Sequence, residues 1–498
     1  MLKQKIVLNY ALNITLQFLQ IFGSILVARI AGATVLGTVA FGTAYVSTFI
    51  FIADLGLGTA HIKLVSATKD EKLLADYIKT FLVIKLVTLG LFLLLFSSVY
   101  GVQKYIFGYQ YESRTHEIVI WVILASMVIQ HLIDFHRVTF AGKIEVAKKE
   151  VVSFLRGFFS QVIRIAVVLM GFGAVAIAIG KLAASILVVP ISFYLFRTYQ
   201  IGTFRRDLVK KYLTISVPVI IIGFSMKLFS QLDKVLLQFM ADSATVGYYT
   251  AGYKFAGFIQ LLGVAIGTTL MPDFSRLFAE GKTKEVAEKI FKYERLAYVF
   301  LMPLALIFAI QSKFVVITLL GNEFAPSIPI MQISTLSLFF FIVTSPYGNV
   351  IMGYGNFKLP AKLIIVSLVV FILAVFLFVS PKMLNLLGTG MALSNLVSYF
   401  VLGLLYFLFS RKYCKELTAK NITVYLPIGL LFFFAGLAVY YQYFDKFVLN
   451  FVFPFIFLAV YFSALYFLRM IDKRDFELLA EVSNIKKLFS YARNELRN

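Results

Sequence analysis

The sequence predicts an all-α polytopic membrane protein with about fourteen transmembrane helices. Three observations carry that expectation. Its 498 residues are 60% hydrophobic, with a mean hydropathy of +0.88, well above the roughly 45–50% apolar content of soluble domains. Apolar runs of about 20 residues, each enough to cross a hydrocarbon core as a helix, recur along nearly the whole chain. The connections between them alternate between basic and nearly neutral, as retention of Lys and Arg on the cytoplasmic side produces. Ten-residue alternating segments, which a β-barrel would need, are absent, and no large soluble domain remains.

In chain order the spans are expected near 7–30, 36–60, 76–99, 117–136, 151–172, 175–196, 213–239, 245–270, 294–320, 329–353, 361–379, 387–409, 424–442 and 450–469. The opening "MLKQKIVLNYALNITLQ" fits a retained first span better than a signal peptide, because of its amides and its length. Spans 1–6 and 7–12 form two lobes, 1–211 and 212–410; spans 13 and 14 occupy 411–469, and a basic tail fills 470–498. In the tail Leu478, Val482, Ile485 and Phe489 share one helical face. That face suits either the inner membrane surface or docking on the protein's own loops.

Of the 47 basic residues, 35 fall on one side of this arrangement, six on the other and six inside spans. Both termini are therefore expected in the cytoplasm. The net charge of +22 has a topological explanation, and nucleic-acid binding does not follow from it. The single cysteine, Cys414, excludes an intramolecular disulfide or a thiolate cluster, and the four histidines form no HExxH motif. P-loop, GxSxG and dinucleotide fingerprints are missing, which disfavours an ATP-driven pump. No metal site and no resident cofactor are expected.

An internal repeat is visible. "ATVLGTVAFGTAY" (33–45) resembles "SATVGYYTAGYKF" (243–255), with Gly37 against Gly247 and Gly42 against Gly252 at an offset of 210 residues. Repeats of this kind suit alternating access about a site between lobes. The glycines themselves are expected to serve close helix packing.

The in-span polar residues are arranged in stripes. Lys227, Ser230, Gln231, Lys234 and Gln238 lie on one helical face, as do Asn9, Asn13, Gln17, Gln20 and Ser24 on span 1. Span 5 adds Ser153, Arg156, Ser160 and Arg164. Such stripes do not face lipid; they are satisfied by other helices or line a water-filled path, and a cationic cavity is the favoured expectation. Lys85, Lys181 and Lys254 also lie in spans, and snorkelling is an equal alternative for the last two. Asp54 and Asp134 fall toward the cytoplasmic end of the first lobe. His131 and Asp134, three apart on one face, are either a structural pair or part of an inner gate or coupling site. Asp233 lies about 100° round its helix from Lys234, so a partner on a neighbouring helix is expected for it.

"LDKVLLQFMADSATVGYYTAGYKFAGF" resembles the start of the second lobe in the polysaccharide biosynthesis (Wzx-type) flippases. "ARIAGATVLGTVAFGTAY" and "DLGLGTAHIK" resemble the first-lobe counterpart, matched by Arg29, Gly32, Gly37, Asp54, Gly56 and Gly58; Gly252 stands where many members have Ala. The resemblance implies a member of the multidrug/oligosaccharidyl-lipid/polysaccharide (MOP) exporter superfamily: two MATE-like six-helix lobes plus two C-terminal helices, and no enzyme. It also implies a location in the bacterial cytoplasmic membrane and translocation of undecaprenyl-pyrophosphate-linked oligosaccharide for O-antigen, capsule or exopolysaccharide assembly. Partners would be the bilayer and other polysaccharide assembly membrane proteins; H+ or Na+ would be the coupling ion. On this view Lys227, Lys234 and Arg164 bind the pyrophosphate, with Asn13, Gln17, Gln20 and Gln231 on the sugars. Asp54, Asp134, His131 and Asp233 serve coupling or gating. A lipid II flippase or a multidrug exporter of the same superfamily is the nearer alternative. A membrane glycan polymerase or ligase is the alternative of a different class, although the outer loops are short and hold no acid pair or nucleophile–base set.

Overall fold

In a computed structural model the chain is helical, with no strand among the described residues. The structure describes residues 2–267, 270–443 and 446–471, without the side chains of 2–11, 13, 14, 217–226 and 261–267. The Asn13 side chain and the amphipathic tail beyond 471 lie outside that set. By mutual packing the chain divides into two compact units, Met1–Gly247 and Tyr248–Asn498. The boundary after residue 211 follows the sequence repeat instead.

The first unit holds α1 (Leu2–Phe49), α2 (Phe51–Asp54), α3 (Leu57–Ala67), α4 (Glu71–Gly101), α5 (Arg114–Gly142), α6 (Val146–Leu169), α7 (Ala174–Phe196), α8 (Arg206–Met240) and the start of α9 (Ser243–Gly267). The second continues with α10 (Leu270–Ala279), α11 (Thr283–Leu296), α12 (Met302–Ile310), α13 (Ser312–Leu320), α14 (Ser327–Gly353), α15 (Lys358–Val379), α16 (Leu387–Ser410), α17 (Lys420–Tyr443) and α18 (Leu449–Phe467). Within the described residues the expected spans lie largely on helix, the second of them interrupted at Leu55–Gly56. Among the described residues eleven helical stretches are long and apolar enough to cross a membrane, and one of these, Thr15–Asp54, carries two expected spans. Gly32 divides those two: its φ of 79° and ψ of 175° belong to a region that essentially only glycine occupies.

The order of elements repeats. Helices α4, α5, α6 and α7 begin at 71, 114, 146 and 174, and α11, α14, α15 and α16 at 283, 327, 358 and 387, so each pair is 212 or 213 residues apart. Helix α7 packs on α5 and α6, and α16 packs on α14 and α15. The paired glycines serve close approach, as expected. A Cβ on Gly37 would stand 1.7 Å from the Ser243 carbonyl oxygen, and one on Gly247 would stand 2.0 Å from that of Ala33. Gly42 abuts Val119 on α5, and Gly252 abuts Ser327 and Ile330 on α14, the counterpart of α5.

Spans 13 and 14, α17 and α18, dock on the second unit through an apolar cluster that includes Ala305, Ile310, Phe433, Phe457 and Tyr461. Polar pins fix their register. The Tyr461 hydroxyl donates to the Tyr298 carbonyl at 2.8 Å, the Gln311 amide to the Asn450 carbonyl at 2.6 Å, and the Asn421 amide to the Phe291 carbonyl at 3.0 Å.

The Gly37 contact gives a direct test. Gly37→Ala forces the backbone of α1 and α9 apart, at about 1–3 kcal/mol or more, and lowers the folded fraction recovered from membranes. Gly90→Ala on α4, where no atom lies within 4 Å of the added carbon, is expected to be neutral. Equal recovery of the two variants in size-exclusion chromatography would refute the packing role.

Candidate functional site

The site begins with a break in the chain. Helix α2 ends at Asp54; Leu55 (φ 42°) and Gly56 (φ 67°) are both left-handed, and α3 starts at Leu57. A left-handed leucine is costly, and non-helical backbone at membrane depth is tolerated only where protein or water satisfies it. The surroundings do so here. Thr88 on α4 donates its hydroxyl to the Ala53 carbonyl at 2.9 Å, and the Leu55 N–H reaches the Phe51 carbonyl at 2.8 Å. At Gly58 an added Cβ would make only ordinary contacts with Val138 and Asp54 Oδ1, at 3.6 Å, so the close approach of α3 to α5 does not demand a glycine there.

This break borders an open cavity of about 640 Å3 lined by the first unit. Asp54, Leu55, Gly56 and Thr59 come from the break and α3, Lys85 from α4, Gln130, His131, Asp134 and Arg137 from α5, Lys149 from α6 and Lys227 from α8. Most of the charges are engaged. Arg137 donates to Asp134, and Lys149 pairs with Glu150 at 2.9 Å. Lys85, 4% exposed, gives a hydrogen bond to the His131 carbonyl at 3.1 Å and lies 5.6 Å from the Phe81 ring centroid. The Lys227 ammonium makes no hydrogen bond or close ion pair among the described residues, although its charge acts on Asp54. Counting Glu150, the cations still outnumber the carboxylates.

The structure gathers some of the expected site residues and separates others. Asp54, Asp134, His131 and Lys227 share the cavity. His131 and Asp134 do not bond one another: Asp134 takes Arg137, and His131 Nε2 has no hydrogen-bond partner among the described residues. Lys234 and Arg164 lie elsewhere. Lys234 reaches Asp233 at 2.9 Å and 3.1 Å: an adjacent long side chain folds back across the 100° that separate the two Cα–Cβ directions, and Asp233 has a further contact besides. Arg164 donates to Gln161, to the Gln20 carbonyl at 3.3 Å and to Ser24 Oγ at 3.4 Å, so it ties α6 to α1. Gln17 and Gln20 are exposed, and Gln231 bonds Ser230 at 3.2 Å. Lys181 does not snorkel; its ammonium bonds Thr43 Oγ1 at 2.9 Å.

Lys85, Gln130, Arg137 and Lys149 were not among the expected site residues. Lys85 stood out in the sequence only as a lone in-span cation, and Arg137 and Lys149 only as cytoplasmic basic residues. The spacing of Asp134 and Arg137, one turn apart, was the available signal. The stripe on α8 also divides: Lys227 lines the cavity, whereas Gln238, three turns on, donates to Glu112 at 2.9 Å. Glu112, between α4 and α5, also accepts from the Ser243 N–H at 2.9 Å and hydroxyl at 2.6 Å, and His116 lies 3.7 Å away. Burial opposes ionisation of Glu112, but these donors together hold its carboxyl below the ordinary 4.5.

Two features, a helix-built unit repeated once and a broken span beside a charged cavity, define a membrane transporter fold. Among solved structures the chain is similar to a lipid II flippase, MurJ, in an inward closed conformation: TM-score 0.72, 16% identity, covering 92% of this chain and 99% of that one. It is similar to an inward-facing multidrug resistance MATE family transporter of the MOP superfamily (TM-score 0.65, 13% identity, 82% and 99% covered). A further likeness is to a MOP superfamily transporter from Pyrococcus furiosus (TM-score 0.54, 16% identity, 83% and 94% covered). At these identities the likeness concerns the fold. The profile of the polysaccharide biosynthesis protein family matches residues 2–278, more than half of the chain, and the chain belongs to that family. No curated protein matches it in sequence.

The Glu112 cluster predicts an acid dependence. A carboxyl held below its ordinary value stabilises the fold fully above about pH 4.5 and loses that contribution as pH falls further. In thermal unfolding of the purified full-length protein, Glu112→Gln is expected to melt below wild type at neutral pH, with the gap closing under acid. A gap that is constant with pH would exclude an ionic role for Glu112.

Proposed function

We propose that the protein is a flippase that moves a lipid-linked oligosaccharide bearing a diphosphate, of the undecaprenyl-pyrophosphate type, from the cytoplasmic to the outer leaflet of the bacterial cytoplasmic membrane. The observation that carries this is Lys227: an in-span ammonium without a hydrogen bond or close ion pair among the described residues, facing a cavity already rich in Lys85, Arg137 and Lys149. Membership of a polysaccharide biosynthesis family supports the class of cargo. A cationic lining binds phosphate oxygens well, and a volume of about 640 Å3 suits a headgroup rather than a prenyl chain. The lipid tail then stays in the bilayer while Thr59 and Gln130 offer hydrogen bonds to sugar hydroxyls. Lys227 takes the diphosphate first, backed by Lys85; Lys234 and Arg164 become available only if they exchange Asp233 and Gln161 for substrate.

Asp54 and Asp134 are the proposed coupling pair, binding H+ or Na+ as the cavity changes its access. The same chemistry would serve a lipid II flippase, which carries the same diphosphate. A cation-extruding drug exporter is poorly served by this lining, since like charge repels its cargo.

Transport of a labelled undecaprenyl-diphosphate sugar in proteoliposomes tests the assignment. Lys227→Gln is expected to lower the rate at least about tenfold, a loss of roughly 1.4 kcal/mol, at unchanged protein level, with Lys227→Arg retaining more than Lys227→Gln. Full transport by Lys227→Gln would sink the diphosphate role. In the same assay Asp54→Asn and Asp134→Asn are expected to abolish dependence on a proton or sodium gradient, and unchanged dependence in both would move coupling elsewhere.

The proposed orientation, with both termini in the cytoplasm, has its own test. The native thiol is buried, and burial together with Glu416 pushes it up to about 12, so Cys414→Ala is a mild background. Phe107→Cys and Met383→Cys are expected to react with an impermeant thiol reagent applied to intact cells, and Lys143→Cys and Lys284→Cys only after lysis. The reverse pattern would invert the direction of transport.

A further inference from the structure

The second unit contains a buried carboxyl that the proposed transport cycle does not use. Glu294, in the last turn of α11, is 2% exposed. It accepts a hydrogen bond from the Tyr347 hydroxyl of α14 and another from the Asn421 amide of α17 at 3.2 Å. It has no ion-pair partner among the described residues.

The helix that Tyr347 belongs to is weakened at that point. Pro346 lacks an N–H, so the Ile342 carbonyl loses its intrahelical partner. Two hydroxyls replace it, Tyr293 at 3.2 Å and Ser345 at 3.0 Å. Tyr293 and Glu294 are neighbours on α11, and Tyr347 follows the proline. Helix α11 therefore tethers α14 on both sides of the kink, before it through Tyr293 and beyond it through Glu294. The second tether alone depends on a titratable group.

The other groups around Glu294 leave its charge uncompensated. Helix α14 presents Tyr347 and the π-helical turn Ala297–Leu301 presents Tyr298, itself stacked on Tyr425 of α17 at 5.3 Å. Helix α17 faces it with the neutral Asn421. Asp273 of α10, the remaining packed element, is already bonded to Lys289 and Arg276. Arg295 adjoins Glu294 along the chain and has contacts of its own.

We propose that Glu294 is a proton-binding site of the second unit, and that proton uptake there releases the part of α14 beyond Pro346 from α11 and α17. An ionised carboxyl is acceptor-only and takes both donors at once. When a proton from water adds to one oxygen, a new O–H bond forms and that oxygen turns from acceptor to donor. If that oxygen is the one facing Tyr347, the new O–H donates to the tyrosine oxygen and the bond reverses; at either oxygen both contacts pass from charge-assisted to neutral and weaken. The outer tether of the segment beyond Pro346 is loosened while the Tyr293 tether persists, so that segment is the part that moves. This site is separate from the cavity of the first unit and does not depend on the identity of the cargo.

The test uses the full-length protein in lipid nanodiscs, titrated between about pH 8 and about pH 5. Infrared difference spectra of wild type are expected to gain the carbonyl band of a buried neutral carboxyl, absent from Glu294→Gln. Tyr347→Phe removes a donor to the ionised form, so the band should appear at a pH about one unit higher, a tenfold lower proton concentration. Corrected for intrinsic rates, amide exchange in residues 343–353 should rise at least about fivefold on acidification in wild type, and be fast at both pH values in Glu294→Gln. If Glu294→Gln fails to fold, the shift in Tyr347→Phe decides the matter alone. A band indifferent to Tyr347→Phe, exchange indifferent to pH, or a response of Glu294 to sodium at constant pH would each overturn the proposal.

Discussion

Within apolar surroundings a polar group has only the protein to bond with, and an unsatisfied backbone carbonyl or ammonium there costs several kcal/mol. That constraint organises this molecule, because many of its in-span polar groups are quieted by reaching another helix. Thr88 caps the Ala53 carbonyl at the break, Lys85 bonds the His131 carbonyl, and His61 bridges Tyr212 and Thr139 at 2.6 Å and 3.0 Å. Ser367 and Ser398 exchange hydroxyl bonds between α15 and α16 at 2.8 Å. Satisfying the groups and assembling the helices are one process, since apolar packing alone does not distinguish protein from lipid.

Close backbone approach is the second half of the same economy. Gly37 and Gly247 bring α1 and α9 near enough that no side chain fits, and the repeat places Gly42 and Gly252 at matching joints on α5 and α14. Dispersion and short contacts hold such joints without polar groups. The regular helices are interrupted at defined points, among them Gly32, the Leu55–Gly56 break and the proline at 346. Two of the three lie beside a titratable carboxyl, Asp54 in one case and Glu294 in the other.

The cavity illustrates how the constraint singles out a candidate for function. Arg137, Lys149, Lys181 and Arg164 all hold bonds within the protein, which accounts for their burial without any cargo. The Lys227 ammonium holds no hydrogen bond among the described residues and faces Asp54 across the cavity. Docking of α17 and α18 obeys the same rule in the second unit, where Tyr461, Gln311 and Asn421 each spend a donor on a carbonyl of the opposite helix.

The sequence by itself determined the helical membrane class, the positions of the helices to within a few residues and the repeat, because hydropathy and glycine spacing are local, periodic signals. It also marked Asp54, Asp134, His131 and Lys227 as in-span polar residues, and these four do meet in one cavity. What only the tertiary structure decided is which charge answers which. Asp233 is reached by its neighbour Lys234, Gln238 is spent on Glu112, Arg164 on α1, and Lys85 and Glu294 hold places that no local pattern announced. The physical reason is that a helical stripe fixes direction round one axis, while the partner it meets depends on how several helices are rotated and stacked, and that is set by contacts far apart in the chain.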